Sequence, residues 1–181
     1  MQTLIVDGYN VVHAWPALKR SLQTRGLEDA RDRLIHALSE YSAHTGVKVM
    51  VVFDSHERTE AAEPPEVIDG VIVRFGTKTA SADHVIERLA QRFARRGDAG
   101  QVTVATGDRL QRALVGAMGV ASISAEALAE EVARATGEAS ATRRRVEGPS
   151  RIRRVEEHLS PETRRKLDAI WSRAPEERTP G

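Results

Sequence analysis

Four aspartates sit where well-separated parts of the chain end an apolar run or begin a helix. Asp7 follows Leu4-Ile5-Val6, Asp54 follows the run from Val47 to Phe53, and Asp108 closes Thr106-Gly107-Asp108 after Val102 to Ala105. Asp83 opens an amphipathic stretch just after Ser81. Carboxylates gathered in one place repel one another and lose hydration, and a divalent cation is the usual way to offset both costs. The chain has no cysteine, so any metal would be held by oxygen or imidazole, and an all-oxygen site suits Mg2+ or Mn2+. One such ion with an activated water, or two ions about 3.5 to 4 Å apart, drives in-line attack on a phosphodiester and stabilises the leaving oxygen.

Each acid also has a plain structural role open to it. Asp7-Gly8 is a common turn pair, Asp54 before Ser55 can cap the next segment, and Asp108 is placed to cap its helix. The functional reading gains weight because separate strand ends carry the same charged residue. Asn10 adds an amide near Asp7 that can donate to a phosphate or hold a water. Ser81 and Thr106 can bind a phosphate oxygen or cap a helix. Lys78 can neutralise substrate charge, with solvent exposure its plainer reading. The six histidines show no metal-ligand spacing, so none is assigned to a site. Trp15, before Pro16, is expected to pack beneath the first turn rather than stack a base.

The elements that must position these residues follow from periodicity. Short apolar runs at Leu4 to Val6, Val47 to Phe53, Val71 to Phe75, Val102 to Ala105 and Gly119 to Ala121 read as strands. Helical spacing covers Leu27 to Ala43, a stretch after Ser81 to about Arg96, Arg109 to Met118, and Ala125 to about Ala135. Residues 55–66 are polar, contain Pro64-Pro65, and read as a loop. Strands alternating with helices indicate an α/β fold, a parallel sheet with helices on both faces. In such sheets the carboxyl ends of the strands share one edge, where ligands bind. The aspartates are therefore expected to converge.

Composition narrows the class. No apolar run approaches the ~20 residues of a membrane-spanning helix, and no basic N-terminal region precedes an apolar stretch, so the expectation is a soluble, cytoplasmic protein without a membrane partner. Aromatics are 4% of the chain, too few for binding many stacked bases. The 181 residues carry a net charge of +1, yet residues 1–141 hold 16 basic and 19 acidic groups against 11 and 7 in residues 142–181. A body of −3 and a tail of +4 suggest a folded domain over 1–137 and a basic helical extension over 138–181. Arg143, Arg144 and Arg145 in that extension are candidates for substrate phosphate through counterion release. Ser160-Pro161-Glu162 would open a last helix bearing Leu167, Ile170 and Trp171.

The ordered set of motifs resembles one family. Leu4-Ile5-Val6-Asp7-Gly8-Tyr9-Asn10-Val11-Val12 is similar to the start of NYN domains, part of the PIN-like nuclease superfamily. Ala14-Trp15-Pro16, Ala30-Arg31-Asp32-Arg33-Leu34, Val51-Val52-Phe53-Asp54, Thr79-Ala80-Ser81-Ala82-Asp83, Ile86-Glu87-Arg88 and Thr106-Gly107-Asp108 follow in the order of the YacP family of bacterial NYN endoribonucleases. The resemblance covers roughly residues 3–135. It implies a PIN-like, Rossmann-like fold that cuts RNA with a divalent metal, with Asp7, Asn10, Asp54, Asp83 and Asp108 on the site positions. It also implies mRNA as substrate and the translating ribosome as partner. Gly107 departs from the family's usual Ser, and the stretch before Ser81 is less acidic than the family's.

The resulting expectation is a metal-dependent endoribonuclease. Asp7, Asp83 and Asp108 would bind Mg2+ or Mn2+, Asp54 would complete the acidic rim, and Asn10 would position water or phosphate. Ser81, Thr106, Lys78 and Arg143 to Arg145 would contact the RNA. Two other classes compete: a non-catalytic RNA or ribosome adaptor with a vestigial crevice, and a phosphoacceptor domain built on Asp54. The second lacks the paired acids after the first strand and the late-strand lysine that would balance a phosphate.

Overall fold

The structure is a computed structural model that describes residues 1–54 and 64–146, with side chains described as far as Gly137. Residues Met1–Ala139 form one compact unit. The described elements are β1 (Thr3–Asp7), α1 (Gly8–Ala14), α2 (Pro16–Arg25), α3 (Leu27–Thr45), β2 (Lys48–Phe53), β3 (Glu66–Ile68), β4 (Val71–Phe75), α4 (Ala82–Arg95), β5 (Val102–Ala105), α5 (Arg109–Ala117), β6 (Ala121–Ile123) and α6 (Ala125–Val146).

The sheet order is β3-β4-β2-β1-β5-β6. All neighbours pair in parallel except β3, which runs antiparallel to β4 at one edge. The strand period of two divides the core between the faces. Leu4, Val6, Val49, Val51 and Phe53 point to one side, where they meet Val11, Val12, Leu34, Leu38 and Leu128 of α1, α3 and α6. Ile5, Met50, Val52 and Val104 point to the other, against Ile86, Leu89 and Ala90 of α4 and Val115 of α5. β1 and β2 are buried along nearly their whole length, as central strands of a parallel sheet must be. The α/β parallel architecture expected from the sequence is the one formed.

Several elements depart from expectation, each for a local reason. α1 and α2 occupy a stretch with no full apolar stripe. Asp7 accepts from Asn10 N to start α1, and Pro16 at the first turn starts α2, so caps and a few anchors such as Val11, Val12 and Leu18 suffice. The expected loop over 55–66 ends early, because Glu66 already belongs to β3; residues 55–63 lie outside the described residues. β3 is unreadable as a strand because its side chains face solvent, Val67 at 70% exposure. It turns into β4 through Asp69 and Gly70, both at left-handed φ (48° and 82°), as a tight two-residue hairpin requires. The last strand lies two residues later than expected, since Gly119 at φ 78° is spent on the turn before it. α6 continues to Val146, beyond the point where apolar spacing ends. Arg143, Arg144 and Arg145 fall on that helix, but their side chains, and the helix expected after Ser160, lie outside the described residues.

Trp15 packs as expected, partly buried against the core with its indole Nε1 donating to Ala125 O at 2.7 Å. Gly8 is required where α1 leaves β1. A Cβ there would stand 2.3 Å from the Phe53 ring, so only glycine lets the helix start over that buried aromatic.

Candidate functional site

Because β2, β1 and β5 are adjacent and parallel, their carboxyl ends bring Asp54, Asp7 and the Thr106 to Asp108 turn to one edge. α4 delivers the fourth acid. Ser81 caps that helix, accepting from His84 N at 3.5 Å, and the first turn carries Asp83. Asp54 Oδ1 accepts from Ala82 N at 3.2 Å, tying the end of β2 to the start of α4. A carboxylate at a helix N-terminus is favoured by the exposed N–H groups and the helix dipole.

Asp7 is the buried member, at 9% exposure. Its Oδ1 accepts from Asn10 N at 3.2 Å and its Oδ2 from Thr106 Oγ1 at 3.2 Å. Burial pushes its carboxyl up from the ordinary 3.8 to about 6. The charges of Asp83 and Asp54 add to that push, while the Asn10 N–H and the Thr106 hydroxyl pull against it. Asp83 and Asp54 thus both lie within electrostatic reach of Asp7.

Asp108 caps α5, as its structural reading anticipated, with Oδ1 accepting from Leu110 N at 2.7 Å and Gln111 N at 3.3 Å. Asn10 is held by its oxygen, which accepts from Gly107 N at 2.6 Å, so the Nδ2 end is the donating one. A Cβ at position 107 would lie 2.7 Å from Asn10 Oδ1, so a side chain there requires the Asn10 carboxamide to move.

Thr106 requires a correction. It is fully buried, and its hydroxyl donates to Asp7 and accepts from Asp108 N at 3.1 Å, so it braces the acids and presents nothing to a substrate. Ser81 caps α4 and also meets His84 Nδ1 at 2.9 Å. Lys78 is exposed in the segment before Ser81. Among the described residues no three Asp, Glu or His side chains stand as a group that could hold a metal ion, Asp7, Asp83 and Asp108 included.

Two features escape a reading of the sequence. Gln111, in the first turn of α5, is buried and donates through Nε2 to Asp83 Oδ1 at 2.8 Å. On the opposite face of the sheet, the Arg31 guanidinium lies 5.5 Å from the Phe75 ring centroid and 5.9 Å from that of Phe53. Tyr9 completes that cluster, its ring 5.1 Å from Phe53. Burial pushes the Tyr9 phenol up, and Arg31 beside it pulls the other way. No apolar periodicity marks Gln111 or Arg31, because both act through partners far along the chain.

Among the described residues no helix is long and apolar enough to cross a membrane. With this geometry in view, comparison with known proteins is specific. A family model described as the YacP-like NYN domain matches residues 4–172. The Bacillus subtilis (strain 168) protein named "Uncharacterized protein YacP" is 40% identical over 132 residues, covering 73% of this chain and 75% of that one. The crystal structure of Rae1 (YacP) from Bacillus subtilis superposes with a TM-score of 0.68 at 34% identity, covering 96% of this chain and 95% of that one. A point mutant of the same protein gives 0.68 at 32% identity, over 93% and 99%. The fold is that of these relatives, and the chain belongs to the YacP-like NYN domain family.

Proposed function

We propose that this NYN-domain protein is a divalent-metal-dependent endoribonuclease that hydrolyses RNA phosphodiesters. The observation that carries the reading is Asp7, a carboxyl held at the buried end of the central strand with Asp83 and Asp54 pressing on it. A fold gains nothing in stability by burying a carboxyl beside two others. A cation would relieve that repulsion and turn it into binding energy.

The donor set fits a largely hydrated ion. Mg2+ commonly keeps several waters and is held by one or two carboxylates together with substrate phosphates. It therefore does not need three acids preassembled. Asp7 and Asp83 would hold it, with Asp108 available from the cap of α5 and Asp54 completing the rim. When bound, Mg2+ or Mn2+ supplies charge neutralisation at the scissile phosphate and makes water a stronger nucleophile. Asn10, fixed through its oxygen by Gly107 N, points its amide as a donor for a phosphate oxygen. Thr106 and Gln111 hold the carboxylates in place.

Substrate choice extends the proposal. The family resemblance favours mRNA engaged with the ribosome in the cytoplasm, and the +4 tail, Arg143 to Arg145 included, favours a polyanion. The adaptor reading retains one supporting observation, the lack of a preassembled metal group among the described residues.

RNA incubated with the full chain and Mg2+ or Mn2+, beside Asp7→Asn and Asp83→Asn, tests the reading. Metal-dependent cutting that both substitutions abolish is expected. Cutting unaffected by both would sink the site assignment, and no cutting by the parent protein would favour the adaptor. Deleting residues 142–181 should weaken salt-sensitive RNA or ribosome association while leaving metal-dependent cutting of free RNA.

A further inference from the structure

Away from the strand-end acids, Arg74 of β4 and Arg92 and Arg96 at the end of α4 line one pocket of about 110 Å3, together with Met50, Leu89 and Phe93. No carboxylate lines it. Among the described residues the ion pairs are Arg25–Asp29 and Arg33–Asp29, so none of these three guanidinium groups is neutralised by an acid. In a body whose 16 basic groups are outnumbered by 19 acidic ones over residues 1–141, three arginines without an acid at one pocket run against the average.

The helix accounts for part of this. Cations in a last turn meet the partial negative charge of the helix end, a sufficient reason for Arg92 and Arg95. Arg74 has no such reason. It shares with Ile72 the face of β4 that packs towards α4, a position that an apolar side chain would fill at no cost in desolvation. Its Nε is enclosed without a hydrogen-bond partner, so the root of the guanidinium is fixed in the packed layer and takes no part in binding. The residue is nevertheless partly exposed and lines the pocket, and its terminal nitrogens are not among the enclosed, unpartnered atoms. The fold thus places a cation where packing alone favours a hydrocarbon.

Pockets for drug-sized ligands run to about 300 to 1,000 Å3. This one is smaller and suits a single anionic group. A guanidinium fork matches the oxygens of a phosphate through two parallel hydrogen bonds, and binds it in any sequence context. Arg92 and Arg96 follow Asp83 by about 14 and 20 Å along the axis of α4. The pocket is therefore separate from the acids, at a distance that a short length of RNA spans.

We propose that Arg74, Arg92 and Arg96 form a subsite for one backbone phosphate of RNA, which holds the chain at a distance from the bond being cut. RNA as the occupant rests on the nuclease reading above; the affinity of the pocket for an anion does not.

Binding of a labelled single-stranded RNA of mixed sequence to the full chain, measured in EDTA over a range of salt, tests it. Arg92→Gln/Arg96→Gln is compared with Arg20→Gln/Arg95→Gln, which removes the same charge at exposed arginines outside the pocket. The pocket pair is expected to weaken binding about tenfold and to lower the slope of log affinity against log salt by about 0.7, the share of one single-strand phosphate. The outside pair is expected to stay within about twofold of the parent. Equal weakening by both pairs means diffuse charge and overturns the subsite, as does parent-like affinity in the pocket pair. Oligoglutamate bound more tightly than RNA by the parent, and lost in the pocket pair, overturns RNA as the occupant. Metal-dependent cutting by the parent without a pocket effect overturns the subsite and leaves the nuclease reading standing. A pocket effect in a parent that never cuts RNA supports the subsite and removes the nuclease reading.

Discussion

Thr106 Oγ1 donates to Asp7 Oδ2 at 3.2 Å, a buried bond between the ends of two adjacent parallel strands. The same hydroxyl accepts from Asp108 N, so one side chain braces a buried acid and the cap of α5 together. Removing it leaves a carboxylate oxygen and an N–H short of a partner. Thr106→Val is expected to lower stability by about 1 to 3 kcal/mol, with Thr106→Ser recovering most of it. Urea denaturation of the three proteins decides this; a Val variant as stable as the parent would show that the brace is dispensable.

Asp7 sets a pH dependence whose sign is fixed. Its folded pKa, about 6, lies above the ordinary 3.8, so the folded state holds this proton more tightly than the unfolded state. The resulting penalty is absent below about pH 4, grows between about pH 4 and 6, and is complete above about pH 6. Asp7→Asn is therefore expected to stabilise the metal-free protein at pH 7.5 by about 3 kcal/mol, and hardly at all at pH 4. Denaturation in EDTA at both pH values measures it, and an equal effect at both would refute burial of the charged carboxylate as its cause.

Gly107 lets Asn10 Oδ1 sit 2.6 Å from its backbone N. Gly107→Ser puts a Cβ where that oxygen lies, 2.7 Å away, and the flexible carboxamide yields first. Stability should change by less than about 1 kcal/mol. RNA cutting should fall, and the Asn10 side-chain amide NMR signals should move. Unmoved signals in the Ser variant would mean that both groups fit without displacement.

Tyr41 offers a control away from the strand-end acids. Its hydroxyl donates to Glu131 Oε1 at 2.5 Å, linking α3 to α6. Burial first, then that bond and the Glu131 charge, push the phenol up to about 12. Tyr41→Phe is expected to cost about 1 kcal/mol and to leave cutting per folded molecule unchanged. A large loss of cutting at full folding would tie this end of the sheet to function.

The legibility of this chain divides by range. Val102 to Ala105 and the start of α4 after Ser81 are readable to the residue, because apolar runs and caps are local patterns. α1, α2 and β3 are not. They rest on caps, on Pro16 and on edge pairing to β4, with little apolar periodicity of their own. At the site, the strand-end aspartates announce themselves by type and position, whereas Thr106 reads as a substrate contact and is a buried brace.

Local pattern alone was enough to establish that the chain alternates strands and helices, that acids terminate the strands, and that the motifs follow the order of one family. These are properties of neighbours along the chain, and short-range spacing carries them. Packing in three dimensions was needed to establish that Asp7 is the buried member, its proton affinity raised by burial, that Asn10 is oriented by Gly107, and that Gln111 serves Asp83 instead of its own helix cap. A carboxyl's proton affinity and an amide's partner depend on burial and on groups a few ångströms away in space, here contributed from 28 to 99 residues along the chain.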